Sequence, residues 1–179
     1  MTSIGEDAFD FYSVASLTIS NGVTKIGERA FLGCNSLTDI TLPEGIISIG
    51  KNAFQDCGIV SLIIPESVES IGSNAFNNCH GLTSIVIPKR VKSIGILAFN
   101  GINLTSIVVD EGNRTYDSRN GCNAIIETST NTLILGCHTS TIPKDVTSIG
   151  SGAFYFCNHS TIDIPDGVTS IGNGAFYAC

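Results

Sequence analysis

The sequence predicts a repeat solenoid, an array of about eight coils of 22–23 residues, each a strand, a short extended segment and a helical turn. Three observations carry this reading. The dipeptide Ile-Gly recurs at Ile4, Ile26, Ile49, Ile71, Ile94, Ile149 and Ile171, at intervals of 22, 23, 22, 23, 55 and 22 residues. Four residues after each isoleucine comes Ala-Phe, from Ala8-Phe9 through to Ala175-Phe176. Three residues after the phenylalanine stands Cys34, Cys57, Cys79, Cys157 or Cys179, with Tyr12 and Ile102 filling that column in the other two copies.

Each element of the unit has its own justification. Leu37–Leu42 and Leu82–Ile87 alternate apolar and polar residues at period two, the mark of a half-buried strand. Pro43 and Pro88 end those strands, because proline offers no amide to a continuing ladder. A second extended piece follows, as in Val68-Glu69-Ser70-Ile71, and leads through glycine into the segment carrying Ala-Phe, expected to be about one turn of helix. One unit cannot bury its apolar edge alone. Stacking joins the Ile, Val, Leu and Phe columns into one core.

The composition agrees and excludes other classes. Of the 179 residues, 42% are hydrophobic and 14% charged, enough apolar material to bury a core, so disorder is not expected. The net charge of −7 and pI near 4.7, with nine Lys plus Arg, oppose phosphate-driven nucleic-acid binding. No stretch approaches the roughly 18 apolar residues of a membrane span.

The 55-residue interval interrupts the array. The whole of residues 1–179 is read as a single array, with regular coils at 1–109 and 143–179 and a variant coil at 110–142. In the variant coil a polar stretch, Asp110–Gly121, precedes two apolar runs, Asn123–Ile126 and Thr132–Leu135, expected to form a hairpin. A hairpin centred on Ser129 and Thr130 places Cys122 opposite Cys137, a candidate disulfide that a one-residue slip would separate. The five cysteines in register are expected to be buried free thiols.

The repeating string Val-x-Ser-Ile-Gly-x-x-Ala-Phe-x-x-Cys-x-x-Leu-x-x-Ile-x-Ile-Pro resembles the BspA-like leucine-rich repeats of bacterial and protozoan surface proteins. The resemblance covers essentially the whole chain. It implies a leucine-rich-repeat array used for adhesion or protein recognition, at a cell surface or secreted. It names no ligand.

No catalytic, metal or cofactor site is expected. His80, His138 and His159 lack partners at metal or triad spacing, and no HExxH, P-loop or GxSxG occurs. Candidate partner-binding residues are those the scaffold does not require. Each strand presents one central residue outward, at Thr18, Thr41, Ile63, Val86, Val108 and Asp163, where Ile63, Val86 and Val108 make an apolar stripe. Lys89 and Arg90, an adjacent basic pair past a strand, could orient an acidic partner. Ile96 and Leu97 occupy positions that are polar in other coils and are expected to pack on the insertion or on another molecule.

The sequence starts inside a unit, at Thr2-Ser3-Ile4-Gly5, and stops at Cys179. That pattern suggests a segment of a longer array, or terminal coils covered by end-to-end self-association. The first residues have neither the basic start nor the apolar stretch of a signal peptide, so a cytoplasmic location stays open. Three readings of function follow: a non-enzymatic module binding a protein or surface glycan through its strand face and variant coil, an intracellular effector or inhibitor of a protein target, and an enzyme, which would need a cleft of converging carboxylates or histidines.

Overall fold

The computed structural model describes residues 2–179, and they form the solenoid that the register demands. Five short parallel strands, Thr2–Ile4, Val23–Ile26, Ser48–Ile49, Ser70–Ile71 and Ser93–Ile94, pair in that order down one side. Each isoleucine faces its counterpart, Ile49 against Ile71 and Ile71 against Ile94. The period-two strands form a second side, where Ser16–Thr18 pairs with Asp39–Thr41 and Ser84–Ile87 with Ser106–Val109, all parallel. Alternation sorts their side chains: Ile85 and Ile87 are buried while Ser84 and Val86 face out.

The third side corrects an expectation: the Ala-Phe segment is not a helical turn. Asn52 and Asp56 take left-handed backbone angles (φ 56° and 58°), as do Arg29, Asn74 and Asn78 in the same columns, and an α-helix cannot continue through them. The amides alternate instead. Ala53, Gln55 and Cys57 donate three residues back within the coil, to the carbonyls of Gly50, Asn52 and Phe54. Asn52, Phe54 and Asp56 donate outward, to the carbonyls of Ser73, Ala75 and Asn77 of the next coil at 2.9, 2.8 and 2.9 Å. Asparagine and aspartate suit those columns because they tolerate the left-handed region better than other side chains.

The core sits inside this triangle. Phe9, Phe31, Phe54, Phe76 and Phe99 stack with ring centroids 5.0–5.3 Å apart and planes within 9° of parallel. That distance is the strand spacing of roughly 4.8 Å imposed on a column of identical rings. Alanine beside each ring is buried at Ala30, Ala53, Ala75 and Ala153, so the turn can close over the stack.

The variant coil joins the array as a three-stranded antiparallel sheet. Tyr116–Asp117 pairs with Ile125–Glu127, which pairs with Thr132–Leu135, and the last continues in parallel into Ser148–Ile149 and Ser170–Ile171. A short 3-10 turn, Arg119–Gly121, lies between the first two strands. Side chains splice the insertion to its neighbours. The Tyr116 hydroxyl accepts from the Ile94 amide at 3.0 Å, and the Asn123 carboxamide accepts from the Ile107 amide at 2.6 Å while donating to the Thr105 carbonyl at 2.9 Å. Asn123 thus supplies the donor and acceptor that the next strand's peptide would have given. Arg119 pairs with Asp117 at 2.8 Å and with Asp145 of the following coil.

Phe54 is fully buried between two stacked rings. Phe54→Ala is expected to destabilise the array by about 3–5 kcal/mol, measured by denaturant unfolding, because the neighbouring coils are held at backbone spacing and cannot collapse into the cavity.

Candidate functional site

The outward strand positions are exposed: Ile63 at 80%, Val86 at 55% and Val108 at 46%. Val86 and Val108 are direct partners in register, and Ile63 lies in the preceding coil, in an extended stretch outside the regular strands. A main-chain ladder holds Val86 and Val108 in place, so a partner meeting these two orders little on binding.

Lys89 and Arg90 are not a bare basic patch. Arg90 pairs with Glu69 at 2.8 Å, Lys89 stands 3.8 Å from Glu66, and Lys92 also reaches Glu69 at 2.9 Å. These pairs hold the Glu69 carboxyl below its usual range, Lys92 contributing most and Arg90 next. The result is a neutralised rim between coils, of little stabilising value at this exposure.

Ile96 and Leu97 part company. Leu97 is half-buried and reaches past the insertion to the next regular coil, where a methyl group at Gly152 would lie 2.3 Å from its Cδ2. Ile96 stays 64% exposed. Leu97 also has a left-handed backbone (φ 58°), costly for a branched side chain, and the position belongs to the column of Asn52 and Asn74.

The candidate disulfide is not formed. All seven cysteines are free thiols. A bulge between Ile125 and Ile126 shifts the hairpin register, from Ile126 opposite Leu133 to Ile125 opposite Leu135. Cys137 then faces Asn123, whose Nδ2 donates to its sulfur at 3.2 Å. Cys122 turns the other way, with its Sγ 3.9 Å from the Ser118 hydroxyl.

The ladder cysteines are hydrogen-bond donors as well as core atoms. Cys34, Cys57 and Cys79 are buried, and their thiols donate to the Phe9, Phe31 and Phe54 carbonyls of the preceding coils at 3.1, 3.0 and 3.1 Å. Toward the other end the column opens: Cys157 is partly buried and Cys179 exposed. Burial pushes the Cys79 and Cys157 thiols up to about 12, and Cys57 higher still, because a thiolate there would lose its water.

The insertion also opens a notch that sequence reasoning missed. Arg29, Phe31 and Gly33 donate their amides to the next coil, as do Asn52, Phe54 and Asp56, and then Asn74, Phe76 and Asn78. In the next copy the pattern stops. Among the described residues, the Phe99 and Gly101 amides have no acceptor, because the following strand brings Gly136 there instead of a turn. Gly136 lies flat against Phe154, with room for no side chain, and its amide takes the Ala153 carbonyl. A cavity of about 270 Å³ results, walled by Phe99–Thr105 on one side and Tyr155–Asn158 on the other. A second, of about 250 Å³, adjoins it and adds Asn78 and His80. Phe156 stands in the column of Phe11, Gly33, Asp56, Asn78 and Gly101, and it takes the left-handed backbone (φ 59°) that is strained for a bulky residue, as Phe11 does (φ 51°) in the first coil. His159, by contrast, tucks its ring edge-on against Phe154 at 5.4 Å.

Among the described residues no group of three His, Cys, Asp or Glu side chains is placed to hold a metal ion. Among the described residues no helix is long and apolar enough to cross a membrane.

The model of the BspA-type leucine-rich repeat region matches residues 2–122 and 134–179, in six copies. The chain belongs to the BspA-type leucine-rich repeat family. The gap in the match falls on the hairpin of the variant coil. A crystal structure of a leucine-rich repeat protein from Eubacterium ventriosum is 26% identical, with a TM-score of 0.74 over 92% of this chain and 51% of that one. A leucine-rich cell surface protein from Faecalibacterium prausnitzii is 27% identical, with a TM-score of 0.69 over 98% of this chain and 62% of the other. The leucine-rich repeat protein of T. pallidum is 27% identical, with a TM-score of 0.66 over 99% and 69% of the two chains. This BspA-type chain therefore spans less than two thirds of the first two proteins. A search of curated proteins found no significant relative.

The thiol column makes a pH prediction. A thiol whose folded pKa exceeds its unfolded value of about 8.5 stabilises fully below that value, and the contribution is lost as pH rises toward the folded pKa. Melting temperature is expected to fall between about pH 9 and pH 11, and a Cys57→Ala, Cys79→Ala double variant to show a flatter fall in the same scan.

Proposed function

We propose that this chain is a non-enzymatic recognition or adhesion module that binds a protein or a surface glycan through its strand face and its variant coil. The observation that carries the reading is the exposed apolar stripe of Ile63, Val86 and Val108, of which Val86 and Val108 are held by main-chain pairing. Monomeric surfaces seldom spend β-branched apolar side chains side by side on an exposed sheet without a contact to make. Family membership supports the reading, and the Faecalibacterium prausnitzii relative, described as a cell surface protein, supports a surface location.

Changing Ile63, Val86 and Val108 together to Asp tests the strand face. These side chains already face solvent, so the fold is expected to persist with a melting temperature within a few degrees of wild type. Capture of partners from host and bacterial lysates is expected to drop at least tenfold; unchanged capture would remove the strand face from the proposal.

One observation favours a second reading, an intracellular effector or inhibitor: all seven cysteines are free, as is usual in a reducing compartment. Immunodetection on intact and lysed source cells separates the two. Surface labelling of intact cells is the expected result, and signal confined to the lysate would favour the effector.

A further inference from the structure

We infer that the notch opened by the variant coil is a binding site for a neutral sugar, with the Phe156 ring as its platform. The inference rests on the recognition reading above and gives its variant-coil half a place and a ligand class.

Four features point to this chemistry. First, Phe99 and Gly101 both line the notch, and their amides, which have no acceptor among the described residues, are the donors that every earlier coil satisfies in its neighbour. A buried or half-buried amide without an acceptor is costly, and an oxygen-bearing ligand supplies one. Second, no Asp, Glu, Lys or Arg lines either adjoining cavity, in a chain whose net charge is −7. A charged ligand would enter with no counter-charge, while an uncharged one leaves no charge unpaired and needs only its hydroxyls answered by hydrogen bonds. Third, the side-chain polar groups are of types that can both donate and accept: Asn158, His138 and His80, with Asn103 and Thr105 keeping acceptor capacity while they donate to the His80 and Thr83 carbonyls. Hydroxyl groups need that mixture, since each both gives and takes a hydrogen bond. Fourth, Phe156 is 55% exposed and borders both cavities, and Tyr155 stands beside it, their ring centroids 4.7 Å apart. An aromatic face exposed beside convergent amides matches the two-sided character of a pyranose, with its apolar C–H face and polar hydroxyl rim.

A peptide fits less well. Strand addition needs a long exposed edge of alternating main-chain donors and acceptors. Here the main chain offers two amides at the end of a short concavity, and the facing carbonyls of Ala153 and Gly152 are already taken by Gly136 and by the Asn100 carboxamide. The remaining polar groups belong to side chains around the site. The notch also lies on the turn side of the coil, so it does not share residues with the stripe of Ile63, Val86 and Val108.

The test titrates the intact chain with a panel of neutral disaccharides, maltose, cellobiose, lactose and chitobiose, by calorimetry and saturation-transfer NMR. At least one is expected to bind, with transfer to aromatic protons. Phe156→Asn removes the ring yet suits the left-handed backbone, so the fold is kept. It is expected to weaken binding at least tenfold, as is Asn158→Ala, while Phe156→Tyr retains binding. The Asp variant of the strand face is expected to bind sugar as wild type does. No binding by any disaccharide, or binding indifferent to Phe156 and Asn158, would overturn the inference. Sugar binding abolished only by the strand-face variant would overturn the notch and leave the recognition reading standing. An extended peptide that binds at Phe156 where the sugars do not would also refute it.

Discussion

The array depends on one constraint, that each coil must present its main-chain hydrogen bonds to the next at the spacing of paired strands. On the turn side this is met by alternation, with one amide closing the coil on itself and the next reaching across, as at Ala53 and Phe54. Everything stacked on that repeat inherits its distance. Phenylalanine rings meet near 5 Å and nearly parallel, because the backbone sets their positions. Thiols meet carbonyls of the preceding coil for the same reason. A column, rather than a residue, is the unit on which substitution acts.

The same constraint explains how the insertion is tolerated and what it leaves behind. An array can admit a foreign segment only if its open donors and acceptors are answered. Tyr116 answers Ile94, Asn123 answers Ile107 and Thr105, and Arg119 joins Asp117 to Asp145. The turn side is answered less completely. Gly136 replaces a whole turn over Phe154, the ring stack breaks between Phe99 and Phe154, and the amides of Phe99 and Gly101 face a concavity. Irregularity in a solenoid is thus the natural origin of a site, because a perfectly periodic surface offers a partner no unique place to bind.

Charge plays a smaller part than apolar shape. Several basic groups pair with acids of the adjacent coil, as Arg29 does with Asp7 and Arg90 with Glu69, at exposed positions where such pairs contribute little. They blunt the surface between coils and leave the apolar and uncharged features distinct. Two of those features, the stripe on the strand side and the notch on the turn side, lie on different sides of the coil.

Register was legible from sequence because every coil repeats the same columns, and a buried column tolerates few residue types. The Ile-Gly and Ala-Phe spacing determined the coil length, the parallel stacking, the buried phenylalanines and the place where the pattern fails. The turn was misread as helical because Ala-Phe flanked by polar residues has helical texture, while the telling residues, Asn52, Asn74 and Asp56, act through left-handed backbone angles that hydrophobic periodicity does not register. The pairing of Cys122 with Cys137 turned on a single bulge, and a bulge is set by how the hairpin meets the coils on either side. The partners of Lys89, Leu97 and Asn123, and the notch beside Phe156, were likewise decided only by tertiary structure. Each depends on which side chain of one coil meets which backbone of the next across an interruption, and at an interruption the repeat no longer says what lies opposite.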